Sequence, residues 1–220
     1  MRRAVFLLSL MAALAGCIDI PQARNKHGPV QRSTRYAPPS ANARQCLSSL
    51  GATRANFTPL PDQYFGAGCS TRNTVRLASL QSDFDSLGLS NLGPVTCPLA
   101  NTFAGWARFG VDRAARQILG SPLVRIETMG SYNCRNVAGS SRRSAHATAN
   151  AIDVSGFVLA DGRRITVTGN WNGGSAAERQ FLRVVQASAC KRFGTVLGPS
   201  YNADHRDHFH LETSEGEFCR

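Results

Sequence analysis

Four of the five histidines in this 220-residue chain fall in two short stretches. The first is Ser144-Ala-His146-Ala-Thr-Ala-Asn-Ala-Ile-Asp153, and the second is His205-Arg-Asp207-His208-Phe-His210. Two neutral imidazoles and one carboxylate are a common ligand set for a catalytic zinc ion that keeps its fourth position open. The pattern predicts that the two stretches converge on one divalent ion. His146 and Asp153 are the candidates from the first stretch, and His208 or His210 from the second.

The spacing carries part of this reading. Six residues between His146 and Asp153 are too many for one helical face, where ligands fall at i and i+4. They suit a loop that folds back on itself. On a strand, His208 and His210 point to the same side because side chains alternate with period two. One can then be a ligand while the other lines the pocket. A hydrolytic site also needs a base within hydrogen-bond reach of the attacking water, and His205, Asp207 and His208 are candidates for it. Asp204 and Glu212 are candidates to accept the second N–H of a ligating imidazole. The competing reading makes all these histidines structural.

Such groups need a rigid frame. Gln45 to Leu50 predicts a short helix closed by Gly51, and Phe57 to Cys69 reads as loop. Val75-Arg-Leu77-Ala-Ser-Leu80 fits either a strand or the start of a helix. Thr96-Cys97-Pro98 and Gly120 carry the start and stop signals of a helix. Leu99, Phe103, Trp106, Ala114 and Ile118 share one face at helical spacing. Trp106 is read as core rather than as a sugar platform. Val124 to Met129 and Ala151 to Leu159 are strand-like. Asp161-Gly162 is a turn signal, and Arg164 to Thr168 the returning strand. Ala176 to Phe193 predicts a helix that buries Phe181, Val184, Val185, Ala189 and Phe193. Phe209 to Glu212 closes as a short strand. The order is α+β, an antiparallel sheet with flanking helices.

Met1-Arg2-Arg3 precedes an apolar run from Ala4 to Ala15, too short to cross a bilayer as a helix. A basic head, an apolar stretch and small residues at its end mark a secretory signal. Leu14-Ala15-Gly16-Cys17 resembles a bacterial lipobox. That resemblance implies a signal peptide over 1–16 and lipidation at Cys17, and Ile18 after it points to the outer membrane. Residues 17–42 hold Pro21, Pro29, Pro38 and Pro39 without apolar periodicity and read as a flexible tether. The domain then occupies 43–220. Acyl chains would anchor it on the periplasmic face without a membrane-spanning segment.

Six of the seven cysteines remain once Cys17 is set aside: Cys46, Cys69, Cys97, Cys134, Cys190 and Cys219. An even count in an exported domain predicts three disulfides. Cys46 with Cys69 is the expected pair at the N-terminal end, and a cysteine zinc cluster is the rival reading. Removing Arg2 and Arg3 from 25 basic residues leaves 23 against 14 acidic ones, a net of about +9. A basic surface suits an anionic partner. In the periplasm that is peptidoglycan or a lipid headgroup, not nucleic acid. The chain reads as a monomer.

Ser144-Ala-His146 through Asp153, with a late histidine on a strand, resembles the zinc peptidases that cut D-amino-acid bonds in peptidoglycan. These are the D-Ala-D-Ala carboxypeptidases and the murein endopeptidases, whose fold the hedgehog signalling domain shares. The resemblance implies that fold, a Zn2+ cofactor, and His146, Asp153 and His210 as its ligands. It gives the base role to His205 or His208; Asp207 stands where the carboxypeptidases carry a glutamate. Ser131-Tyr132-Asn133-Cys134-Arg135 is similar to a family strand whose arginine polarises the substrate carbonyl or holds a carboxylate, which makes Arg135 a further catalytic candidate. Cys46-Leu-x-x-Leu, Gly68-Cys69, Thr96-Cys97-Pro98, Ser131-Tyr-x-Cys134-Arg135, Leu197-Gly-Pro199 and Asp207-His-Phe-His210 resemble the bacterial extensin-like C-terminal domain family. Together these imply a disulfide-stapled zinc hydrolase of the bacterial envelope, or a non-catalytic wall-binding lipoprotein that keeps its fold.

Overall fold

The computed structural model describes residues 39–220. The signal segment, Cys17 and the tether up to residue 38 lie outside the described residues. The chain opens with helix α1 (Ala41–Ala52), capped by the Ser40 hydroxyl, which accepts the Ala43 N–H. Gly51 lies within this helix rather than closing it. The following segment, expected as loop, holds two short strands, β1 (Asn56–Pro59) and β2 (Gln63–Gly66), and leads into β3 (Cys69–Thr71). All four β2 residues are exposed, so no apolar alternation could announce them. Next come β4 (Thr74–Gln81), β5 (Ser86–Ser90) and β6 (Val95–Thr96). Val75-Arg-Leu77-Ala-Ser-Leu80 is therefore strand.

Helix α2 (Cys97–Trp106) begins at the Thr96-Cys97-Pro98 signal and continues in wider, π-type turns over Ala107–Asp112 and Ala115–Leu119. It stops at Gly120, whose φ of 69° is the left-handed conformation glycine adopts freely. Strand β7 (Leu123–Gly130) follows, then β8 (Ala151–Leu159) and β9 (Arg164–Thr166). The returning strand ends at Thr166, whose hydroxyl caps the short helix α3 (Val167–Asn170). Helix α4 (Ala176–Cys190) starts at a reciprocal Ser175–Glu178 capping box. The last strands are β10 (Thr195–Leu197), β11 (Phe209–Glu212) and β12 (Phe218–Cys219).

Ten strands form one sheet, with the path β1-β4-β5-β7-β8-β11-β10-β12 and with β6 and β9 attached to β4 and β8. The pairing is antiparallel except for β5 with β7 and β10 with β12, which run parallel. Strands β2 and β3 form a separate two-stranded ribbon. The α+β class with a sheet and flanking helices is thus observed, with a mixed rather than purely antiparallel sheet.

The core packs helices against one sheet face. Trp106 is fully buried, its ring centroid 5.6 Å from Phe103, 6.2 Å from Phe157 and 6.1 Å from Phe193. Its indole N–H donates to the Val185 carbonyl at 3.1 Å, so the one polar atom in this cluster is satisfied. Phe181, Val185, Ala189 and Phe193 are buried as the helical pattern requires, but Val184 is 40% exposed. The buried stripe of α4 runs through Phe181, Leu182 and Val185 instead.

The six cysteines form three disulfides: Cys46–Cys97, Cys69–Cys134 and Cys190–Cys219. The expected Cys46–Cys69 pair is not formed. Helix α1 lies along α2, which brings Cys46 to the first residue of α2, while Cys69 leaves with the ribbon. With every one of these thiols bonded, a cysteine metal cluster is excluded among the described residues.

Candidate metal centre

Strand alternation sets two of the three candidate ligands. On β11, Phe209 and Leu211 are buried on the core side, so His210 and Glu212 project to the other face. On β8, Ile152 and Val154 are core residues, so Asp153 between them projects to that face too. The register pairs Asp153 with His210 on one side and with Gly130 of β7 on the other. Gly130 has a φ of 118°, and a side chain there would project into open space beside the site. Its lack of a Cβ keeps that space clear.

The third ligand comes from a single 3₁₀ turn, Ala145–Thr148, between β7 and β8. Ser144 caps it, and it ends in Ala149, which holds a left-handed φ of 55°. The Ala149 carbonyl accepts the Thr96 N–H at 3.0 Å. The Asn150 side chain accepts from the hydroxyls of Thr96 and Thr213 and donates to the Thr213 carbonyl. Asn150 thereby ties the turn to the start of α2 and the end of β11. No motif flagged this residue, because its role is visible only once those elements meet.

His146 Nε2 lies 3.2 Å from His210 Nδ1 and 3.1 Å from Asp153 Oδ2, and His210 Nδ1 lies 3.0 Å from Asp153 Oδ1. All three side chains are largely withdrawn from water. Their outer hydrogen bonds fix which ring nitrogens face inward. His146 Nδ1 lies 2.7 Å from the Ser131 carbonyl, which can only accept, so this nitrogen carries the proton. His210 Nε2 lies 3.3 Å from the Glu212 carboxylate and donates to it in the same way. In their neutral forms both rings therefore aim bare lone pairs at the carboxylate and at each other. Ligand atoms about 2.0–2.2 Å from a tetrahedral zinc stand roughly 3.3 Å apart. The donor types and their separations fit such an ion.

Electrostatics point the same way. Burial alone would raise the Asp153 pKa, but with both ring nitrogens protonated His146 and His210 donate to it and hold it far below the usual carboxylate range. Burial pulls His210 down, yet the Asp153 and Glu212 carboxylates outweigh it and push its pKa up to about 9. The cluster favours a positive charge at its centre.

Around this triad the second stretch divides its roles. His208 Nδ1 lies 2.8 Å from Asp207 Oδ1, and its Nε2 lies 3.6 Å from Asp153 Oδ1. The ring of His205 sits 5.1 Å from that of His208, with Nδ1 held by Asn202 Oδ1 at 2.6 Å. Burial, then the nearby His208 and His210, lower the His205 pKa to about 4. Glu212 occupies the outer position expected of it. Asp204 makes no hydrogen bond to a ligating ring; for His146 that place is taken by the Ser131 backbone carbonyl. Arg135 lines the small pocket in front of His146 and Asp153, together with Met129, Tyr132 and Asn133. All seven residues anticipated for metal binding and catalysis thus gather in one region.

A family model described as extensin-like protein C-terminus matches residues 44–220. The chain belongs to this family. The extensin-like match begins within α1 and takes in every later element and all the candidate site residues. No curated protein shows a significant match. No solved structure does either.

Proposed function

We propose that this extensin-like domain is a zinc-dependent hydrolase that cleaves peptide bonds, those to D-amino acids among them, in peptidoglycan. The observation that carries the proposal is the inward convergence of three lone-pair donors, His146 Nε2, His210 Nδ1 and the Asp153 carboxylate, with outer partners that fix both tautomers. The resemblance of this pattern to the zinc peptidases of the bacterial cell wall supports the substrate class. When bound, zinc supplies Lewis acidity and makes water a competent nucleophile near neutral pH.

The chain's own residues perform the rest. Asp207 holds the His208 ring so that Nε2 faces the triad. From there His208 takes a proton from the attacking water as its oxygen adds to the amide carbon. The same nitrogen returns the proton to the amine as the C–N bond breaks, leaving a carboxylate and a free amine. Arg135, at the pocket rim, steadies the charge that develops on the carbonyl oxygen. The domain works in the periplasm as a monomer, held by acyl chains on Cys17 at the outer membrane. Among the described residues no helix is long and apolar enough to cross a membrane.

The test is a digest of purified peptidoglycan with metal analysis alongside. Near one zinc per chain is expected, with products that vanish on chelation, return with added zinc, and are missing for His146→Ala. Full activity after chelation would overturn the proposal.

A further inference from the structure

The ribbon of β2 and β3 stands apart from the main sheet, and a lone two-stranded ribbon is marginally stable in water. Three separate contacts hold it against the rim of the metal centre. Cys69 is disulfide-bonded to Cys134. The Arg143 guanidinium donates to the Ala67 carbonyl at the ribbon's turn, at 2.6 Å. The Phe65 ring packs on Tyr132, centroids 5.3 Å apart. Tyr132 and Arg135, on the same rim segment, line the pocket with His146 and Asp153. The ribbon therefore continues one wall of the site outward.

What it displays is unusual for a solvated surface. Tyr64 and Phe65 are 69% and 51% exposed on adjacent positions. Clustered exposed apolar side chains mark binding surfaces more often than isolated ones do. Arg72 lies over the Tyr64 ring, Arg143 packs against the ribbon's turn at Gly68, and Arg135 follows on the rim segment that carries Tyr132. Among the described residues, none of these three arginines has a carboxylate within ion-pair distance. The ribbon's one nearby acid, Asp62, is engaged by the Asn73 N–H.

We propose that the β2–β3 ribbon is a polymer-binding subsite that takes a carboxylate-bearing glycan strand and leads it to the metal centre. Tyr64 and Phe65 offer ring faces on which the apolar faces of pyranose rings pack. The guanidinium groups of Arg72, Arg135 and Arg143, free of carboxylate partners, match carboxylates along the strand. The inference rests on the reading of the pocket as the place where a wall polymer is handled. An anionic membrane is the other surface such a ribbon suits, but the continuity of ribbon, Tyr132 and pocket favours a ligand shared with the site.

The test is co-sedimentation of the full chain carrying Cys17→Ser, which removes the acylation site, zinc-loaded and after chelation, with purified peptidoglycan sacculi and, in parallel, with phosphatidylglycerol vesicles. Wild type is expected to bind sacculi in both metal states, more weakly as salt rises. Tyr64→Ala with Phe65→Ala, and separately Arg72→Ala, should each weaken retention about tenfold, as loss of an aromatic or arginine anchor does. Zinc content and thermal unfolding report that each variant is folded. Variants that bind sacculi like wild type, or a wild type held by vesicles as strongly as by sacculi, would overturn the inference. Variant-sensitive binding with no product leaves it standing and removes the hydrolase reading. Cleavage with variant-insensitive binding does the reverse.

Discussion

Asp153 and His210 are direct cross-strand partners on β8 and β11, their side chains 3.0 Å apart. Sheet register therefore decides whether the centre exists at all. A slip of one residue would turn His210 into the core and Phe209 toward the ligands. The fully buried Ile152, Val154, Phe209 and Leu211 on the opposite faces hold the register in place.

From this follows a graded set of zinc affinities. Asp153→Asn and His210→Ala each remove a donor and should leave the purified protein essentially without zinc. Glu212→Gln keeps every donor but weakens the hold on the His210 ring, so affinity should fall about 10–100-fold. Competition with a chromophoric chelator measures all three. Equal zinc binding by Glu212→Gln and wild type would mean that the His210–Glu212 contact does not orient the ligand.

The metal-free protein should be most sensitive to pH on the alkaline side of neutrality. His210 carries a pKa of about 9 in the fold, against about 6.5 in an unfolded chain. A raised pKa contributes stability that is fully present below pH 6.5 and is lost as pH rises to about 9. Asp153 stays ionised throughout that window. Chelated protein should therefore lose thermal stability between these pH values, and His210→Gln should flatten the loss. Zinc-loaded protein should behave oppositely, because protons no longer compete for the imidazole.

Much of the candidate centre was legible in residue types and spacing, since the two short stretches that hold four histidines and two aspartates come together in the fold, with His146, Asp153 and His210 in one group. The strands that carry Asp153 and His210 were legible too, from β-branched runs and turn signals. Trp106 was legible as core from its place in a helical stripe. The rest depended on tertiary contacts that leave no local trace. The Ser131 carbonyl that orients His146 is a backbone atom, and any residue supplies one. Val75 to Leu80 satisfies both periods over so short a span. Strand β2 is exposed at every position, so it lacks alternation, and β3 is only three residues long. Val184 joins the apolar set of α4 by type, yet the helix is rotated so that Leu182 faces the core in its place.

Disulfide pairing could not be read for the same reason, and the three bonds should have separable effects. Cys46–Cys97 closes a separation of 51 residues and joins α1 to α2, neither of which carries a candidate ligand. Its replacement by serines should cost up to about 4 kcal/mol by loop-closure entropy, or about 10 °C in Tm for a domain of this size. Zinc content should stay unchanged. Cys69–Cys134 ties the ribbon to the pocket rim, so its replacement should also weaken retention on sacculi. Differential scanning calorimetry beside the sedimentation assay separates the two outcomes. Loss of zinc in the Cys46→Ser, Cys97→Ser variant would show that α1 supports the centre after all.

The assignment of the base makes the sharpest prediction. His208 and His205 both stand beside the triad, but their partners differ. The Asp207 carboxylate holds His208 Nδ1 at 2.8 Å and turns Nε2 toward the triad, whereas His205 Nδ1 is held by the Asn202 amide oxygen. His205, with a pKa of about 4, is too weak a base to take a proton efficiently near neutrality. His208→Ala should therefore lower kcat by about 10²–10⁴-fold, the range of a lost general base, with zinc content intact. Asp207→Asn should lower kcat less, because it loosens the hold on the His208 ring but leaves the base itself in place. His205→Ala should cost far less than His208→Ala. If instead the His205 variant is the crippled one, or if Asp207→Asn leaves kcat unchanged, proton transfer does not run through the Asp207–His208 pair.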